Sequence, residues 1–191
     1  MTQIIRTLGC DPGMAFFGIA ILEKEGKNPV RLVSVKVLAT KKADKKVMRD
    51  LRIAADDQRR LREFWDHLSR EIETREPNGM GVESYALFPG QLGGNSWKVS
   101  FAFQMAVCCG WSHGILPMVF RPDDLKRRLL GKNAGTKGAV EERLCAEVTG
   151  LRDALDALPK TKREHAADAA GHALLAIEES ARMRAMFGGT F

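Results

Sequence analysis

The stretch LGCDPGMAFFGIAIL, residues 8–22, sets one acid, Asp11, between two apolar runs and follows it at once with Pro12 and Gly13. Aspartate is depleted in strands and costly to bury alone, so an acid at the end of an apolar strand calls for a partner elsewhere in the chain. Pro-Gly is a turn signal, and the runs on either side of it read as antiparallel strands over 3–10 and 15–22. RLVSVKVLAT, 31–40, alternates as a third strand and completes a meander.

Beyond the meander the period changes. Leu51, Ala54, Leu61, Phe64, Trp65, Leu68 and Ile72 fall at helical spacing between about Asp50 and Glu73, and Pro77-Asn78-Gly79 ends that helix. MGVES, 80–84, reads as a short strand ending on Glu83. A Gly- and Pro-containing loop, ALFPGQLGGN, leads to SWKVSFAFQMAVCCGWSHG, a helix apolar around most of its circumference. That helix, with Trp97, Phe101, Phe103, Met105 and Trp111, belongs in a core or against a second copy of the chain.

ILPMVF, 115–120, is a strand, and RPDDLKRRLLG is a helix with Pro122 and two acids at its start and bases after them, as the dipole favours. The loop KNAGTKG precedes a helix, AVEERLCAEVTG, stopped by Gly150, and a last long helix runs from about Arg163 to Arg184. The expected class is α/β: a five-stranded mixed sheet, an antiparallel meander of three strands plus two parallel strands, flanked by helices. No linker is visible, so residues 1–191 are expected to form one domain.

Composition sets limits on function. With 45% hydrophobic and 28% charged residues the chain is globular and not a disordered polymer. No apolar run reaches membrane-spanning length and the start lacks a secretory pattern, so a cytoplasmic location is expected. Cys10, Cys108, Cys109 and Cys145 show no CxxC spacing and read as reduced thiols. A formal net charge of +6 and a pI near 9.3 point to a polyanionic partner.

The chemistry-bearing residues cluster by position in the pattern. Asp11 and Glu83 each end a strand, and HAADAAGHALLAIEE puts His165 and Asp168 three residues apart on one helix face. If the first and fourth strands are neighbours, the two strand-end acids lie side by side where the last helix can join them. Grouped carboxylates repel unless a cation sits between them, and hard oxygen ligands favour Mg²⁺ or Mn²⁺ over zinc. GKNAGTKG has the wrong glycine spacing for a phosphate loop of the G-x-x-x-x-G-K-[ST] type. An actin-like ATPase would need a second glycine-rich phosphate loop and an adenosine-pocket motif, and neither is visible. His172, one turn past Asp168, is either an outer partner of the acids or a packing residue, whereas His67 and His113 have no constellation around them.

The same residues resemble a known family. GCDPGMAFFGIAIL is similar to the first-strand signature of the RuvC family of Holliday junction resolvases, GVES to its second acidic motif, and REHAADAAGHALLA to its last. VFRPDDLKRRLLGKNAGTKGAVEERL resembles the segment with two spaced lysines, here Lys126 and Lys137. The set runs in the right order along nearly the whole chain.

The resemblance implies an RNase H-like fold, a homodimer, and metal-dependent cleavage of four-way junctions by paired symmetric nicks that leave 5′-phosphate and 3′-hydroxyl ends. It makes Asp11, Glu83 and Asp168 metal ligands for two ions, Mg²⁺ with Mn²⁺ able to substitute. His165 stands where many members have a further Asp, and either ligates metal or positions the attacking water. Glu164, at i,i+4 from Asp168, is a reserve carboxylate. Lys126 and Lys137 would bind phosphate, Lys137 being also the candidate for stabilising the transition state.

One departure concerns specificity. Family members typically carry an aromatic three residues after the second acid; here that residue is Ala86, flanked by Tyr85 and Phe88, which could stack on bases in its place. A broader nuclease cutting flaps and forks, and a non-catalytic DNA-binding protein on the same fold, are the competing readings. The identity of any recombination helicase partner is left open.

Overall fold

The structure is a computed structural model of the chain and describes residues 4–43, 53–84, 96–131 and 136–187. The meander forms as its alternation dictates: β1 (Ile4–Asp11), β2 (Phe16–Glu25) and β3 (Val30–Ala39) pair antiparallel in sequence order. α1 (Ile53–Arg75) carries the chain to β4 (Gly79–Glu83), which lies parallel to β1 on its other side with Val82 opposite Cys10. α2 (Ser96–Ser112) then returns it to β5 (Pro117–Phe120), parallel to β4. Asp11 and Glu83 thus end adjacent parallel strands, as the sequence reading required.

The sheet has six strands where five were expected, in the order β5-β4-β1-β2-β3-β6. The helix expected over 139–150 closes earlier, as α4 (Lys137–Glu147), and the two residues of β6 (Val148–Thr149) pair parallel with Val30 and Arg31 of β3. Two β-branched residues are too few to show a period of two, so the pairing with β3 decides their state. The remaining helices are α3 (Pro122–Leu130), α5 (Leu151–Asp156) and α6 (Lys160–Phe187). α6 begins three residues before the expected start because the Pro159 carbonyl accepts from the Lys162 and Arg163 N–H groups and closes the first turn there.

Helices cover the central strands on both faces, so β1 is buried from Thr7 to Asp11 although its side chains still alternate. Leu8 and Cys10 pack with Phe64, Leu68 and Val107 of α1 and α2. Thr7, Gly9 and Asp11 face α6 instead; the Thr7 hydroxyl donates to the Ala173 carbonyl at 2.7 Å. α6 presents Ala166, Ala169, Ala170 and Ala173 to the sheet, all buried. That approach is close enough to need missing side chains beneath it. A Cβ on Gly9 would stand 1.9 Å from the Ala169 carbonyl oxygen, and one on Gly18 2.2 Å from that of His165. Glycine at these positions lets the helix axis sit low over the ends of β1 and β2.

α2 buries Ala102, Ala106, Val107 and Cys109 and leaves Phe101 and Trp111 exposed. The four cysteines are free thiols. Among the described residues no helix is long and apolar enough to cross a membrane. Tyr85, Ala86 and Phe88 lie outside the described residues.

Candidate active site

The elements that carry the acids are each fixed by local chemistry. The turn after Asp11 is held by buried Arg60, which donates to the Met14 carbonyl and, at 2.8 Å, to the Thr40 hydroxyl. Asp11 therefore ends β1 while still paired with Gly18 of β2. Glu83 ends β4 opposite Phe120, and the following Ser84 N–H donates to the Phe120 carbonyl. α6 crosses above both strand ends.

Four of the sequence-predicted residues converge there. Asp11, Glu83, His165 and Asp168 line one cleft of about 680 Å³, with Lys126 of α3 on its wall and Glu164 also on its lining. His165 Nδ1 lies 2.5 Å from Asp11 Oδ2, and its ring sits against Phe16 at 5.4 Å between centroids. Lys137 is the first residue of α4, and Gly138 beside it lines the same cleft.

The electrostatics are those of acids packed together without enough cations. Burial, reinforced by the charges of Asp11 and Glu83, pushes the Asp168 carboxyl up to about 7. Burial also raises Asp11, against the opposing pull of its hydrogen bond to His165. For Glu83 burial again opposes the charge, but His172, whose Nε2 stands 3.7 Å from Oε2, leads the contacts that hold the carboxyl below its usual range. The hydrogen bond to Asp11 raises His165 against the cost of burial.

Oxygen donors from three carboxylates, one imidazole and strong mutual repulsion fit a hard divalent cation in donor chemistry. Among the described residues no three His, Cys, Asp or Glu side chains are drawn around a single point in ligand geometry; Asp11 is turned to His165 instead. Asp11, Glu83, Asp168 and His165 are the residues able to hold such an ion.

Two basic residues of the cleft, Lys160 and Arg163, escaped the sequence reading. Their signal was present: KTKR, 160–163, opens a 28-residue helix with three bases and no acid, the reverse of what the dipole favours. α3 follows the rule, with Asp123 and Asp124 in its first turn and Arg127 and Arg128 in its last. Arg163 is steadied by Asp156 at 2.9 Å.

No family model matches the chain. It is 30% identical over 140 residues to the crossover junction endodeoxyribonuclease RuvC of Methylococcus capsulatus, covering 73% of this chain and 75% of that protein. The RuvC of Gloeobacter violaceus is 26% identical over 170 residues, 89% of this chain and 86% of the relative. Among solved structures, Thermus thermophilus RuvC superposes with a TM-score of 0.72 at 22% identity, covering 94% of this chain and 96% of its own. The same protein in complex with Holliday junction substrate gives 0.69 at 20% identity, with 97% and 98% covered. Yeast mitochondrial Ydc2, a Holliday junction resolvase, gives 0.61 at 14% identity over 88% and 76%. The order of strands and helices, the acids gathered at the ends of β1 and β4, and the extent of the likeness to the Methylococcus protein lead to one conclusion: the chain belongs to the RuvC family of crossover junction endodeoxyribonucleases.

Proposed function

We propose that this chain resolves four-way (Holliday) junctions as a homodimer, making paired symmetric nicks in a metal-dependent hydrolysis that leaves 5′-phosphate and 3′-hydroxyl ends. The observation that carries the reading is the convergence of Asp11, Glu83, Asp168 and His165 in a cleft whose walls bear Lys126, Lys160 and Arg163. A cleft lined by both acids and bases suits a polyanion whose backbone must approach a cation held by carboxylates. The relatives' names and the junction-bound Thermus structure support the same substrate.

Asp11, Glu83 and Asp168 would hold two Mg²⁺ ions, replaceable by Mn²⁺, with His165 as the fourth group. Such ions, when bound, supply an acidified water as nucleophile and neutralise charge on the phosphate and the leaving 3′ oxygen. The protein's own part is placement. Lys126 and Lys137 take phosphate oxygens beside the scissile bond, and Lys160 and Arg163 do so on the α6 wall. His165, hydrogen-bonded to Asp11, is oriented to accept or direct a proton at the attacking water. Exposed Phe101 and Trp111 on α2 give a second copy an apolar face to cover, and a two-fold dimer brings two clefts to paired strands of like polarity. We place the enzyme in the cytoplasm, working as one nuclease domain.

The test is cleavage of mobile four-way junctions, flaps, forks and linear duplex with Mg²⁺ and with Mn²⁺. Symmetric paired nicks confined to the junction are expected; equal cutting of flaps and forks would replace the resolvase by a broader branched-DNA nuclease. Absence of cleavage on every substrate would leave only a DNA-binding role.

A further inference from the structure

Two histidines of α6, His165 and His172, stand seven residues apart and so on one face of the helix. Each meets a strand-end carboxylate. His165 reaches Asp11 on β1, and His172 reaches Glu83 on β4, with Nε2 3.7 Å from Oε2. Their surroundings differ: the His165 side chain is 33% exposed and borders the cleft, whereas that of His172 is 2% exposed.

His172 is held from below and from the side. A Cβ on Gly81 would stand 2.2 Å from the His172 carbonyl oxygen, so the helix rests on β4 two residues before Glu83. The imidazole stacks on Phe120 with centroids 6.3 Å apart and planes 13° from parallel. Nδ1 is buried and has no hydrogen-bond partner among the described residues. An apolar side chain would fill this pocket without stranding a nitrogen, as Leu174 and Leu175 do farther along the same helix. Of the two ring nitrogens, Nε2 is the one turned toward a carboxylate, that of Glu83, the side on which a donor can act.

We propose that His172 is a positioning residue, whose Nε2–H aims the Glu83 carboxylate at Asp11 and Asp168 before any cation arrives. Glutamate has three side-chain torsions to fix, and Glu83 sits at the last position of its strand. The buried imidazole fixes them in advance, as partners behind a ligand do in metal sites generally. This inference rests on the reading of Glu83 as a metal ligand.

The experiment is Mn²⁺ binding to the full-length protein without DNA, followed by calorimetry, with thermal melting as the check on folding. H172L is expected to melt no lower than the wild type and to bind Mn²⁺ about tenfold more weakly, the low end of what losing such a partner costs. H172Q, whose amide can donate from a similar position, is expected to recover to within about threefold of the wild type. If H172L does not fold, H172M is the apolar variant compared with H172Q. Wild-type affinity in the apolar variant, or equal loss in folded H172Q, overturns the positioning role. E83Q separates the two levels: weakened binding in E83Q with none in H172L removes His172 alone, and wild-type binding in E83Q removes the metal reading together with it.

Discussion

β1 and β2 end in two opposite electrostatic arrangements. At one end of the pair, Glu23 is buried between Arg6 and Arg31, each 2.5 Å from one of its oxygens, and although burial opposes its charge the two guanidinium groups hold it below the usual carboxylate range. At the other end, Asp11 is also buried, with His165 2.5 Å from one of its oxygens and Glu83 and Asp168 beside it, and burial with mutual repulsion drives Asp168 up to about 7. The same two strands therefore lead at one end to an acid matched by two arginines and at the other to a cluster in which Asp11 and Glu83 each stand by one histidine and Asp168 is pushed up by its neighbours. A cluster of three carboxylates beside a cleft, with Asp168 raised by its acidic neighbours, is the feature from which we propose a cation site.

The largest expected effect lies at the unmatched end. Asp11→Asn should lower junction cleavage by roughly 10³-fold, the equivalent of the several kcal/mol that a metal site contributes to the transition state. Junction binding, followed by gel shift, should persist. Cleavage at the wild-type rate would take Asp11 out of the site and dissolve the contrast between the two ends.

Neutralising one acid at each end should move stability in opposite directions. Glu23→Gln is expected to lose roughly 1.5–3 kcal/mol, because two charge-assisted contacts weaken in a buried place. Asp168→Asn, in chelator at pH 8, should gain roughly 1–3 kcal/mol, less than the about 4 kcal/mol to which its shift alone converts. The pH dependence has the matching signs. Between about 3.8 and 7 the folded protein keeps a proton on Asp168 that the unfolded chain has lost, so this acid takes stability away as pH rises through that window. Glu23, lowered from 4.5, adds stability above that value and loses it as acid protonates it. Denaturant titrations of both variants across pH check this; equal signs would break the comparison.

A smaller effect should follow from the approach of α6. Gly18→Ala puts a methyl against the His165 carbonyl and is expected to destabilise by roughly 1–3 kcal/mol while lifting His165 from Asp11. Loss of activity well beyond the loss of folded protein would show that helix height sets the site. The least disruptive change is His165→Asp, which replaces an imidazole by a carboxylate among the same neighbours. It should retain cleavage and shift the Mg²⁺-to-Mn²⁺ activity ratio toward Mg²⁺ by a few-fold; an unchanged ratio would remove His165 from metal contact.

Much of this was legible before any coordinates. The meander around Pro12-Gly13, the parallel pair and the three acids with His165 come from periodicity and from the oddness of acids at strand ends. β6 was not, since two residues carry no period. Lys160 and Arg163 were visible as bases at a helix start, but only the cleft gives them a common direction. His172 was readable as packing or partner, and the structure places its ring both against Phe120 and 3.7 Å from the Glu83 carboxylate, the contact on which our positioning proposal rests.

The sequence by itself determined the order of the first five strands and the long helices, the candidate acids and the family likeness, because alternation, turn residues and misplaced charges are local properties of a chain. The tertiary structure decided which groups meet. His165 pairs with Asp11 and His172 with Glu83 because α6 rests on glycines in β2 and β4, a distance no local pattern encodes. It also decided which acids go unmatched, since that depends on whether an arginine from another element reaches them, as Arg6 and Arg31 reach Glu23 while burial leaves Asp168 facing Asp11 and Glu83.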